Sequence, residues 1–593
     1  TRRESGLPLS ERVDPAYTRA DVAARTGPGR MTTRTIAPFF ALIAVIATAP
    51  TVYSQPLSPG LSAVPVALVQ ARELIDDERY HDAYGKLHKL LAGLTAGEPT
   101  YNAAQYDLAR CLLALRLHYA ALLTLDAVQV PDNHPLYAKK VHGFLQIQRA
   151  LPGDLATIER LSMAPEAVFR GEDLAEVRFL LGRFHFEASE HKRALERLGR
   201  ILPANGEHYL KARYLMGVVY VVLNRAQPAL DAFKDVLRFQ SQVGDKPYYD
   251  RYRQMAYMAL GRLFFSIGKH ETAGRYYDRV RHGTDSWLDS LGEIGWTYFH
   301  LRRFDRVLGH LQTLNSPYFE DRYYPEARVL KALILFRTCR FNETLVVVQR
   351  FLRDYKPLRK ELDAQLTNAH SDAEFYGYLA SLSADKESLS LQLRRIFHAA
   401  LNDRTLQRTF GLVSLLGEEV KGLKRLKRNT EAQQQAQGLL NDLGRVRNVL
   451  ISEAGAMARR RLSRVREELT EIIRQGLRIK YETLKARRNS ISESVRIAMA
   501  ETAAVVSEPR QPDDEHVVWP FDGTYWRDEL GGYNYDIRSL CQPKHFPRGW
   551  KKAAKRRLPE RPSPAAKKAA PVESAPEQTK KKEPTTSGQA AGR

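Results

Sequence analysis

The chain has 593 residues, with 91 Lys and Arg against 68 Asp and Glu, for a formal net charge of +23. That length is more than one compact core fills, so several units are expected. A chain that is 44% hydrophobic and 27% charged is also not a wholly disordered one. Three cysteines (Cys111, Cys339, Cys541) with no CxxC pair exclude a disulfide framework and a Cys-rich zinc site. The sequence also lacks a GxxxxGK phosphate loop, GxGxxG, HExxH and GxSxG, which removes the commonest enzyme signatures.

Residues 1–30 begin with Thr1, are rich in Arg, Gly and Pro, and show no apolar period, so they read as an upstream extension foreign to the native chain. Met31 opens a different pattern. Arg34 supplies a short positive region, Ile36 to Ala49 an uncharged apolar run, and Val52-Tyr53-Ser54 small residues at the −3 and −1 places of a cleavage site. This is the layout of a secretory signal peptide over 31–54, with Gln55 as the mature start, and the run is short for a membrane span. The rival reading is an uncleaved N-terminal anchor.

From there a repeat of about 35 residues is visible. A small residue recurs, with a second small residue twelve positions later and a large apolar one four beyond that. Gly182, Ala194 and Leu198 make one set; Gly217, Ala229 and Phe233 another; Gly261, Ala273 and Tyr277 a third. Gly295, Val307 and Leu311 continue the series, with weaker copies at Ala71, Ala83 and Leu87, at Ala109, Ala121 and Leu125, and at Ala332, Thr344 and Val348. A degenerate unit fits around Phe144 and Ala156. Two antiparallel helices approach closely only where the crossing side chains are small, and large residues one turn away fill the groove between hairpins. The spacing predicts about eight helical hairpins over 55–355.

Leu181-Gly182, Met216-Gly217-Tyr220-Ala229-Phe233 and Leu260-Gly261-Phe264-Ala273-Tyr277 resemble the tetratricopeptide repeat. That resemblance implies an all-α superhelix whose concave face holds peptides or partner helices. The Gly, Ala and aromatic positions then belong to the core. Binding falls on exposed residues of each first helix, for which Arg178, Arg213, Tyr214 and Arg253 are the candidates.

Past Tyr355 the spacing is lost, and 356–505 reads as a long helical segment. Leu462, Val465, Leu469, Ile472 and Ile479 fall on an a/d seam interrupted by Gly476, which suits either a homodimeric coiled coil or an intramolecular hairpin. Residues 416–500 carry 19 Lys and Arg against 10 Asp and Glu, and 551–593 carry 12 against 4, so the basicity is C-terminal. The Lys-, Pro- and Ala-rich stretch 547–593 is expected to be a disordered tail. Such a tail could associate with anionic cell-wall polymer or lipid; nucleic acid is disfavoured by the signal peptide and by the lack of aromatics among the lysines.

Between them, 506–546 is an acidic aromatic box. Trp519, Phe521, Tyr525 and Trp526 can form one apolar anchor around a turn at Pro520 and Gly523, for a partner protein or for the chain's own basic helices. Cys111 and Cys339 are expected as small buried groups on helices, and Cys541 as the thiol open to pairing. No residue set points to a catalytic centre, cofactor or metal.

The whole resembles periplasmic tetratricopeptide-repeat proteins of deltaproteobacteria, among them gliding-motility envelope components of myxobacteria. The expectation is a non-enzymatic periplasmic scaffold that binds envelope proteins; the alternative is a surface-associated protein that works through its basic tail.

Overall fold

The computed structural model describes residues 65–239, 247–319, 322–367, 371–384, 389–429, 433–498 and 524–541. Trp519, Phe521, the signal-peptide pattern and the basic tail lie outside these. The chain divides into two compact units, Thr1–Ser539 and Leu540–Arg593. Of the second, only Leu540, exposed, and Cys541, disulfide-bonded, are described.

The described part of the first unit is all-α. Its first sixteen helices pair into eight hairpins: α1 (Val66–Asp76) with α2 (Tyr80–Ala92), α3 (Pro99–Ala114) with α4 (His118–Asp126), α5 (Pro135–Ala150) with α6 (Leu155–Met163), and α7 (Gly171–Glu187) with α8 (His191–Gly199). Then come α9 (Glu207–Val222) with α10 (Ala226–Arg238), α11 (Pro247–Ser266) with α12 (His270–Tyr277), α13 (Trp287–His300) with α14 (Phe304–Leu314), and α15 (Pro325–Arg337) with α16 (Phe341–Thr367). Each hairpin packs on the next, as in tetratricopeptide repeats.

The crossings explain the repeated small residues. A Cβ on Gly182 would stand 2.6 Å from Leu198 Cγ, one on Gly217 2.4 Å from Phe233 Cε1, and one on Gly261 2.6 Å from Tyr277 Cε1. These are the large residues sixteen positions on in each repeat. Ala83, Ala121, Ala194, Ala229, Ala273, Val307 and Thr344 are all fully buried at the second small position. Gly295 differs, because its space is taken by Leu330 of the next hairpin at 3.3 Å.

The turn inside a hairpin is equally regular. Glu78, Arg116, Ser189, Asn224, Gly268, Arg302 and Cys339 all have positive φ at the place after the first helix. The N–H that follows each reaches back to close the helix end, as Arg79 does to Leu74 O (2.8 Å) and Arg340 to Leu335 O (2.8 Å). This satisfies carbonyls that the helix leaves unpaired, against a left-handed cost of about 1–2 kcal/mol at each non-glycine residue. Cys339 is therefore a correction: it occupies this turn and is disulfide-bonded, whereas Cys111 is the free, buried thiol expected, its pKa pushed up to about 12 by burial.

Four helices follow: α17 (Asp372–Ala384), α18 (Leu391–Leu401), α19 (Arg404–Asn429) and α20 (Gln433–Ala498). They fold back on the hairpins. α19 and α20 pack together, and Leu412, Leu416, Leu423, Leu426 and Leu443 join the core of the first hairpins. Further along α20, Leu462, Val465, Leu469 and Ile472 enter a second core with Phe351, Leu352 and Leu362 of α16. The a/d seam is thus buried within its own chain. Gly476, which interrupts it, is where the Phe351 ring sits, 2.9 Å from a would-be Cβ. Gly455 has the same role, since its Cβ would stand 1.8 Å from the Asp372 carbonyl oxygen at the start of α17. Arg459 secures that contact, donating to Asp372 Oδ1 (3.0 Å), Leu366 O (3.0 Å) and Ser371 O (3.1 Å).

Two glycines separate crossing sterics from helix propensity. Gly217→Ala pushes a methyl into the Phe233 ring and should lower stability by about 1–3 kcal/mol. Gly292→Ala, on α13 with nothing within 4 Å of its Cβ, should raise it by up to about 1 kcal/mol. Denaturant unfolding of the two variants checks the pair of signs.

Candidate partner-binding surfaces

The four first-helix candidates are engaged within the chain. Arg178, on α7, donates to Glu166 Oε2 (2.7 Å) and Arg200 O (3.1 Å); Glu166 also receives Arg197 and Arg200, so one carboxylate gathers three guanidiniums between hairpins. Those cations hold its pKa low against the opposing effect of burial. Arg213, on α9, lies over the Tyr209 ring (5.2 Å) and 3.7 Å from Asp235. Tyr214 packs between Phe233 and Tyr252, with burial raising its pKa. Arg253 is half-buried on α11. Tyr214 thus reaches the next hairpin through Tyr252, whereas Arg178 and Arg213 are held within their own hairpin and its preceding linker, uses that spacing alone does not distinguish from binding.

Part of the first-helix side is also met by the chain itself. The charge of Arg404, at the start of α19, acts on both Tyr214 and Tyr252. Arg408 lies against Gly153 and 3.9 Å from Glu187. Glu419 accepts from the N–H groups of Tyr119 (3.1 Å) and Ala120 (2.8 Å), in the first turn of α4. A carboxylate there meets free donors and the positive end of the helix dipole. Burial nevertheless dominates and pushes its pKa up from 4.5 to about 7.

An open cavity remains between the first helices α3 and α5, with a volume of about 290 Å³. Tyr106, Arg110, Leu113, Lys139, His142 and Gln146 are among its lining residues. Arg110 is held by Asp107 (3.3 Å) and His142 by Asp173 (3.3 Å), while Lys139 is exposed. Lys139 is thus the rim cation with no carboxylate partner among the described residues, over an apolar floor.

The described half of the aromatic box, residues 524–539, docks as a strap on the seventh hairpin and not on the basic helices. Leu530 is buried with Leu308, Leu311 and Leu314, and Tyr525 and Tyr533 pack at the edge. Gly531 N–H donates to Thr313 Oγ1 (2.8 Å) and Tyr535 N–H to Asp305 O (3.1 Å). Gly309 admits the strap backbone, since a Cβ there would stand 1.6 Å from Tyr533 O. Gly531, at φ +91°, turns against His282 and Trp287. Trp526 N–H donates to Tyr533 Oη (3.0 Å), and the Trp526 ring stays half exposed. Trp526 and Tyr535 are the described box aromatics with exposed side chains.

No protein-family model and no curated protein matches the sequence. Among solved structures, a tetratricopeptide repeat protein from Parabacteroides merdae is similar at 14% identity over 48% of this chain and 90% of its own, with a TM-score of 0.21. RapI in its apo form is similar at 11% identity over 57% and 98%, with a TM-score of 0.30. The quorum sensor NprR from B. thuringiensis is similar at 15% identity over 64% and 97%, with a TM-score of 0.26. At such identities and TM-scores the likeness assigns neither ligand nor partner to this chain.

Two contacts are separately testable. Gly309→Ala drives a methyl into the Tyr533 carbonyl and should expose 524–538 to protease or hydrogen exchange while the helical signal holds. At Glu419 the folded-state pKa is above the unfolded value, so the neutral form favours docking. The chain should lose stability as pH rises from about 4.5 to about 7 and change no further above that. Glu419→Gln should flatten this part of the profile in thermal melts across that range.

Proposed function

We propose that the protein is an exported, non-enzymatic scaffold of the cell envelope that holds partner proteins on the first-helix side of its hairpins. The observation that carries this reading is the cavity between α3 and α5, a recess with Lys139 exposed at its rim in a stack of eight hairpins. Recesses between neighbouring first helices can seat alternate side chains of an extended peptide. Export is supported by the Met31–Ser54 pattern. It is also supported by Cys339 and Cys541 being disulfide-bonded, a state that persists in oxidising compartments such as the periplasm. In this reading the protein has a role like that of the periplasmic tetratricopeptide proteins of deltaproteobacteria that its sequence resembles, those of the gliding-motility envelope included. Two modest interfaces on one chain, the cavity and the exposed Trp526, would raise the effective concentration of whatever they hold.

A second reading rests on the excess of 12 Lys and Arg over 4 Asp and Glu in 551–593, which would hold the chain to anionic wall or lipid. A photo-crosslinking residue in place of Lys139, in the full chain expressed in its source cells, tests both. The expected result is stoichiometric crosslinks to one or a few envelope proteins, in the periplasmic fraction, retained when 551–593 is removed. Crosslinks only to wall fragments, lost at high salt or with the tail, would move the function to the tail. Recovery in the cytoplasm with Cys339 and Cys541 reduced would overturn export.

A further inference from the structure

Over Leu477 to Leu484, α20 carries a second seam that the described residues do not cover. Leu477, Tyr481 and Leu484 are 41%, 64% and 47% exposed. They follow one another at intervals of four and three, as d, a and d of a heptad, and Arg488 takes the next a place. In the sequence the same spacing runs on to Ile491, Val495 and Ala498. This seam is offset from the earlier one, whose Ile472, Ile473 and Ile479 are buried with α16. One helix therefore presents two faces over the same turns, one buried inside the chain through Ile479 and Thr483 and the other, Leu477, Tyr481 and Leu484, left outward by the described residues.

The flanks of the outward seam are uniform in sign. The e places are Arg478 and Lys485, and the g places Lys480 and Arg487. Between Arg474 and Arg488 there are six cations and one acid, Glu482. Arg474 is paired with Glu471; the four flanking cations have no ion pair among the described residues. Flanking charges decide which helix can pair with a seam. A second copy would set Lys or Arg against Lys or Arg whether it ran parallel or antiparallel, so self-pairing is opposed. A membrane surface would accept the cations, but an interfacial helix needs a broad apolar face, and here the exposed apolar band is one residue wide at each turn.

We propose that residues 477–488 are a half-site for a coiled coil with a partner helix that carries Glu or Asp at its own e and g positions. This site goes beyond the first-helix surface and does not rest on it.

The full chain is titrated with two labelled peptides of about four heptads, both with Leu at a and d, one with Glu and one with Lys at e and g. The expected result is a preference for the Glu peptide of at least about tenfold, weakening with salt. The quadruple variant R478E/K480E/K485E/R487E should reverse that preference. Tyr481→Ser, which alters no charge, should weaken binding of the Glu peptide with the helical signal unchanged. Equal affinity for the two peptides, or none for either, would overturn the proposal. So would a concentration-dependent dimer of the chain that Tyr481→Ser abolishes. Co-sedimentation with phosphatidylglycerol vesicles, without peptide discrimination, would reassign the seam to a membrane surface.

Discussion

Everything in the molecule follows from how closely two helices of a hairpin can approach. Where Gly217 faces Phe233, the absent Cβ lets the ring lie against the neighbouring backbone, and the same trade recurs at Gly182 with Leu198 and at Gly261 with Tyr277. A Cβ at any of these three glycines would meet the facing side chain at 2.4–2.6 Å, so that side chain or the helices would have to shift. The tight left-handed turn after each first helix is the second half of the constraint, since it fixes where the second helix starts. The recess between α3 and α5 and the platform beneath the strap are surfaces of that stack.

The sequence makes the repeat legible because the repeat is local: each small residue and its large counterpart are sixteen positions apart, and the pattern is printed several times over. The back-folding of α19 and α20 is not local. Glu419 meets Tyr119 across 300 positions, and nothing in the spacing of either segment announces the other. The signals that existed were glycines that look idle on long helices. Gly422, Gly455 and Gly476 each mark a close approach, to Leu117, Asp372 and Phe351. Gly476, read as a break in the seam, is a seat for a ring.

The candidate site was less legible for a different reason. An arginine or tyrosine on a first helix can be held inside the stack or turned to a partner, and the sequence writes the two uses identically. Arg178 and Arg213 turn out to be held by Glu166 and Asp235. The aromatic box was visible by composition, but its destination depended on Gly309, one unremarked residue in α14. The e and g cations of α20 stood in the sequence as well; only burial of the earlier seam shows that the later one is free to use them.

The long helix changes the mechanics of the stack. Repeat arrays are held by nearest-neighbour contacts, so they stretch and unfold piecewise, like a spring. Here one helix shares a core with the first hairpins, through Leu443, and another with the eighth, through Leu469 and Ile472. Pulling the hairpins apart would therefore shear a continuous α-helix along its length. One continuous helix bracing both ends of the stack should resist an extension that nearest-neighbour contacts alone would allow.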